Sequence, residues 1–81
     1  MKARIFVTPK KTVLDPQGKA VATAIQHLGM DCVSDARVGK YIELEISGQN
    51  MDLTREKLET ICKDLLSNPV IEDYKLELEN N

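Results

Sequence analysis

Eighty-one residues form one domain, of a size at which a single core supplies only about 3–5 kcal/mol of net stability and association with another chain would help. The net charge is −2 and aromatic content 4%, with no Trp, so the core is aliphatic and the chain lacks the aromatic platforms and basic surface of an RNA-binding sheet. No run nears the ~18 apolar residues of a membrane span and the N-terminus carries charge at once, which predicts a soluble, cytoplasmic chain in which Cys32 and Cys62 stay reduced.

Lys2 to Thr8 alternates Ala3, Ile5 and Val7 against Lys2, Arg4, Phe6 and Thr8, a strand with one apolar face that Pro9 ends by lacking an N–H. Lys10 to Leu14 is a loop with two adjacent cations. Asp15 and Pro16 then open a helix as N-cap and first residue, Val21, Ala24, Ile25 and Leu28 give it an apolar stripe, and Gly29 closes it with Met30 beyond. Because Asp15 fills the helix start and no glycine-rich cradle surrounds it, phosphate binding there is disfavoured.

Val33 to Ile46, VSDARVGKYIELEI, alternates with a period of two, most apolar residues sharing one parity and Lys40 the exception. The pattern predicts one long strand bent or bulged at Gly39, or a strand pair joined by a three-residue loop. A continuous strand of that length would run about 45 Å and overhang a body built on two short helices, so a second chain is expected to pair with it. Asn50 or Asp52 caps a second helix with Leu58, Ile61, Cys62 and Leu65 as its buried stripe, ended by Asn68 and Pro69. The last strand covers Val70 to Glu79, with Tyr74, Leu76 and Leu78 on one parity, and the Asn80–Asn81 tail is expected to fray. The fold class is α+β: two helices packed on an antiparallel sheet, close to the ferredoxin-like pattern.

Groups for chemistry are scarce. His27 has no carboxylate at helical spacing within its own helix to orient it, and His27, Cys32 and Cys62 lack the short spacings of a zinc set. Ser34, Ser47 and Ser67 sit in no nucleophile elbow, and Glu72 and Asp73 point to opposite strand faces. Charge is uneven: residues 1–40 carry seven bases against three acids, residues 41–81 four bases against ten acids. Such a division can steer a partner or another copy.

Three runs, Pro9 to Val21 (PKKTVLDPQGKAV), Asp35 to Lys40 (DARVGK) followed by Glu43 and Leu44, and Leu65 to Tyr74 (LLSNPVIEDY), resemble in order the PurS subunit of phosphoribosylformylglycinamidine synthase. The resemblance implies a PurS fold and a non-catalytic role in purine biosynthesis. It places the conversion of formylglycinamide ribonucleotide to its amidine in a synthetase subunit, PurL, which uses ATP and Mg, and ammonia release from glutamine in a glutaminase subunit, PurQ. No catalytic residue, cofactor or metal is then expected in this chain, and its partners are another copy of itself, PurL and PurQ, with no nucleic acid and no membrane. A rival class is an ACT or ferredoxin-like module that binds a small molecule, although the loop from Thr8 to Gly18 carries Pro9 and Pro16 where such a module offers backbone N–H groups; an acylphosphatase-like enzyme would need an anion cradle there. Candidate interface residues are Lys10, Lys11, Arg37, Lys40, Ile42, Asn68, Asp73 and Tyr74. Among them Arg37 and Lys40 are expected to meet carboxylates of a partner chain.

Overall fold

The computed structural model describes residues 1–48 and 50–79; the expected fraying at Asn80 and Asn81 lies outside them, as does Gln49 of the turn before the second helix. Strand β1 spans Lys2–Pro9, helix α1 Pro16–His27, strand β2 Lys40–Glu45, helix α2 Met51–Ile61 with a π-helical turn continuing it over Cys62–Leu66, and strand β3 Glu72–Glu79. The sheet order is β2-β1-β3, both neighbours antiparallel to β1. This is the expected α+β architecture of two helices and an antiparallel sheet.

The alternation in the sequence becomes the two faces of this sheet. Ala3, Ile5 and Val7 are fully buried, facing Leu44, Ile42, Leu78, Leu76 and Tyr74 in register and packing under Leu58 and Cys62 of the α2 region. The opposite face carries ion pairs, Lys2 to Glu43 (2.6 Å) and Arg4 to Glu79 (2.7 Å), around an aromatic pair: Phe6 lies opposite Tyr41 with ring centroids 5.1 Å apart. Phe6 is therefore not an isolated exposed ring.

Helix α1 begins and ends as its sequence directs. The Asp15 carboxylate accepts from the Gly18 N–H (2.9 Å), and Pro16 occupies the first turn. Gly29 has φ 104°, and the paired bonds Met30 N–H to Ile25 C=O and Gly29 N–H to Gln26 C=O complete a Schellman ending.

Three expectations are corrected. The stretch from Val33 to Ile46 is neither a continuous strand nor a strand pair, because only Lys40–Glu45 joins the sheet. Pairing alternates along β1: Ile46 donates to Met1, so odd-numbered β1 residues bond to β2, while Lys10 donates to Ile71 and even-numbered ones bond to β3. The next rung toward β2 would join Pro9 to Val38, and Pro9 has no N–H to give. The two groups left over are taken elsewhere: Arg37 donates to the Pro9 carbonyl (2.5 Å) and the Val38 N–H donates to Asp15 (2.9 Å). Gly39 sits at the departure point, where an added Cβ would lie 2.3 Å from the Val7 carbonyl oxygen.

In α2 the buried stripe is Leu58, Cys62 and Leu66, whereas Ile61 and Leu65 face outward. The π-helical turn closes with Ser67 N–H donating to Cys62 C=O (3.0 Å), and its extra residue moves the core position on by one. Finally, Val70 and Ile71 lie outside β3. Asn68 organises them in a turn, its carbonyl accepting from Ile71 and Glu72 N–H and its side chain from Val70 N–H.

Candidate functional site

Among the described residues no group of three His, Cys, Asp or Glu side chains converges as a metal set would. Cys32 is exposed, Cys62 is buried, and neither is in a disulfide; burial pushes the Cys62 thiol up, away from the thiolate form. The features that stand out are surfaces.

The first is a junction at the start of α1. Asp15 caps the helix and also holds Val38, so one carboxylate ties the loop after β1, the helix and the segment 33–39 together. Those backbone bonds, to Gly18 first, hold its carboxyl below the usual carboxylate range. Gln26 adds a second tie, donating to the Val33 carbonyl at 2.6 Å. Arg37, fixed against Pro9, stands at the rim of an open cleft of about 310 Å³ that Lys11, Leu14 and Lys19 also line.

The second is the start of β3, beside the end of β1. Lys10 pairs with Asp73 at 2.9 Å, and Asn68 N–H donates to the Glu72 carboxylate at 2.8 Å. These interface candidates already have partners within the chain. Tyr74 faces inward, its hydroxyl donating to the Glu59 carboxylate and joining β3 to α2. That bond, helped by burial, pushes the phenol up to about 12. The folded chain thus keeps a proton that the unfolded chain releases near pH ~10, so the contribution is complete below pH ~10 and lost as pH rises to about 12. Tyr74→Phe is expected to cost about 0.5–1 kcal/mol at pH 7, the pair being only half-buried. It should also flatten the fall in urea midpoint across that alkaline window; equal slopes for both chains would contradict the assignment.

Ile42 and Lys40 separate. Ile42 packs its side chain into the core and turns its backbone toward Ile5, whereas Lys40 is exposed at the first rung of β2. Proline at Ile42 would therefore break a bond inside the sheet; the outward backbone groups of β2 belong to Tyr41, Glu43 and Glu45.

The third surface is apolar. Val21 (43% exposed), Leu28 (86%) and Met30 (54%) lie bare along and beyond α1, and no α1 residue belongs to the core beneath the sheet. Sequence reasoning marked Lys11 and Arg37 but missed Lys19, Leu14 and Gly18 at the same junction. The available signal was a glycine in the first turn of a helix, about 1 kcal/mol worse there than alanine unless space is needed.

The family model described as PurS, phosphoribosylformylglycinamidine (FGAM) synthase, matches residues 2–80. A PurS subunit of that synthase from Synechocystis is 47% identical over 75 residues, 93% of this chain and 75% of the relative. The solved Bacillus subtilis PurS superposes with a TM-score of 0.80 at 42% identity, covering 98% of each chain. A chain from the solved PurLQS of Thermotoga maritima gives 0.83 at 32% identity, covering 94% of this chain and 93% of that one.

Proposed function

This chain belongs to the PurS family of FGAM synthase, and from that premise we propose that it is the small subunit of such a synthase, joining a PurL synthetase to a PurQ glutaminase so that ammonia from glutamine reaches the amidine-forming step. The observation that carries the reading is the match, over nearly the full length of both, to a chain of the PurLQS assembly. In this reading ATP and Mg are handled by the synthetase, formylglycinamide ribonucleotide is converted there, and the small subunit supplies contact surfaces as a pair of copies in the cytoplasm. The uncovered apolar row on α1 supports a chain that works in association. A small-molecule sensor is less well supported, because Asp15 occupies the helix end that would have to receive the ligand.

The test is reconstitution. Synthetase and glutaminase without this chain should form the amidine from added ammonia but lose most of the glutamine-dependent rate, and adding the chain should restore it. The purified chain alone should hydrolyse neither glutamine nor ATP. Equal glutamine-dependent rates with and without the chain would sink the proposal.

A further inference from the structure

We propose that the cleft beside the start of α1 receives a carboxylate-bearing segment of another subunit of the assembly. The inference rests on the small-subunit reading and adds the surface and the chemistry of its occupant.

The argument starts from which cations are already used. Lys2, Arg4, Lys10 and Lys75 each have a carboxylate of the same chain within ion-pair distance. Among the described residues Lys11, Lys19, Arg37, Lys40, Arg55, Lys57 and Lys63 have none, and the first three of these line one cleft although they come from the loop, the helix and the segment 33–39. The carboxylates of the lining, Asp15 and Asp35, offset part of this charge and leave an excess of one cation, but neither forms an ion pair with the three: Asp15 accepts from the Gly18 and Val38 N–H groups, and Asp35 accepts from the Ala36 N–H at 2.9 Å. Arg37 is also held in place: one guanidinium nitrogen donates to the Pro9 carbonyl, leaving the rest of the fork to face an incoming group with part of its ordering already done.

The donors decide between a small anion and a protein segment. A phosphate site at a helix start uses free backbone N–H groups, and here Asp15 fills that role while Pro16 has no N–H. What remains is three side-chain cations spread over separate elements, with Leu14, 77% exposed, among them. That spacing suits several carboxylates set around an apolar side chain better than one compact dianion. A second copy has its outer-face carboxylates engaged with Lys2, Arg4, Lys10 and Lys75 and would have to present those of the α2 region instead, such as Asp52, Glu56 and Asp64.

The experiment titrates the fluorescently labelled full chain with the synthetase and glutaminase together, at low and high salt. It compares the unaltered chain with the triple variant Lys11→Glu, Lys19→Glu, Arg37→Glu and with Arg37→Lys. The triple variant is expected to weaken assembly on the order of tenfold or more at low salt and to lose most of its salt dependence, Arg37→Lys to weaken it less, and circular dichroism and the mass of each chain alone to stay unchanged. Unchanged affinity for the enzymes overturns the proposal. So does a lowered mass of the variant alone, which would make the occupant a second copy. Saturable shifts of the Lys11, Lys19 and Arg37 amide signals on titration with inorganic phosphate, with assembly unaffected by the variants, would assign the cleft to a small anion instead. If the unaltered chain binds neither enzyme, the small-subunit reading itself fails and takes this inference with it.

Discussion

Replacing Leu28 with glutamate is expected to convert an associating chain into a monomer of 9.1 kDa. The reason lies in how α1 divides its apolar stripe. At 100° per residue, Gly18, Ala22 and Gln26 share one side of the helix. That side is the one used: Gly18 and Ala22 are buried, Gly18 stands against the Ala36 carbonyl, and Gln26 holds Val33. Val21, Ala24 and Leu28 lie next to it around the helix and are exposed. An amphipathic helix gains its stability by burying such a row, and among the described residues of the single chain nothing covers this one. The shape agrees. The radius of gyration is 16.1 Å, with extents of 49 × 28 × 14 Å, where a compact chain of this length would have about 12 Å.

Full burial of a leucine is worth about 1.5–3 kcal/mol, and in a twofold pair each substitution counts twice, so dissociation should rise on the order of 100-fold or more. Sedimentation equilibrium at tens of micromolar checks this, with Thr23→Glu on the opposite side of α1 as the control. A monomeric mass for the unaltered chain would refute the association, and an unchanged mass for Leu28→Glu would move the interface to another face.

How far the sequence reached depends on the range of the interactions involved. The β1 pattern, the Asp15 and Pro16 start and the Gly29 end are each decided within a few residues and appear where the pattern put them, and of the two caps offered for α2, Asn50 and Asp52, it is Asn50 that serves. The stretch from Val33 to Gly39 failed for the opposite reason. It alternates like a strand, but its Val38 N–H goes to Asp15, a side chain 23 residues earlier, its Val33 carbonyl accepts from Gln26, and its pairing is cut by Pro9 on another element. Leu65 and Leu66 were exchanged because a π-helical turn leaves no mark in a 3.6-residue pattern. The candidate residues split along the same line. Charge placement marked Lys11 and Arg37, yet only the fold shows that Lys19 joins them, that Lys10 is spoken for by Asp73, and that Ile42 belongs to the core.

The substitution that tests this arrangement most directly is Gly18→Ala. On propensity alone it should stabilise α1, since alanine is about 1 kcal/mol better than glycine inside a helix. The structure reverses the sign. A Cβ at Gly18 would lie 2.1 Å from the Ala36 carbonyl oxygen and 2.7 Å from Asp15 Oδ2. The first of these is backbone, held by the bond from Val38 to Asp15 on one side and from Gln26 to Val33 on the other, so it has little room to yield. Overpacking against fixed atoms typically costs about 1–3 kcal/mol, more than the propensity gain, and the expected net result is destabilisation. Urea midpoints of the two chains compared at one protein concentration measure it, the concentration being fixed because association adds to apparent stability. Amide exchange places the damage: the Val38 N–H should exchange faster in Gly18→Ala, while the Ile5 N–H in the middle of the sheet changes only with global stability. A raised urea midpoint with Val38 protection intact would mean that segment 33–39 is not clamped to α1, and the cleft formed between them would lose its wall.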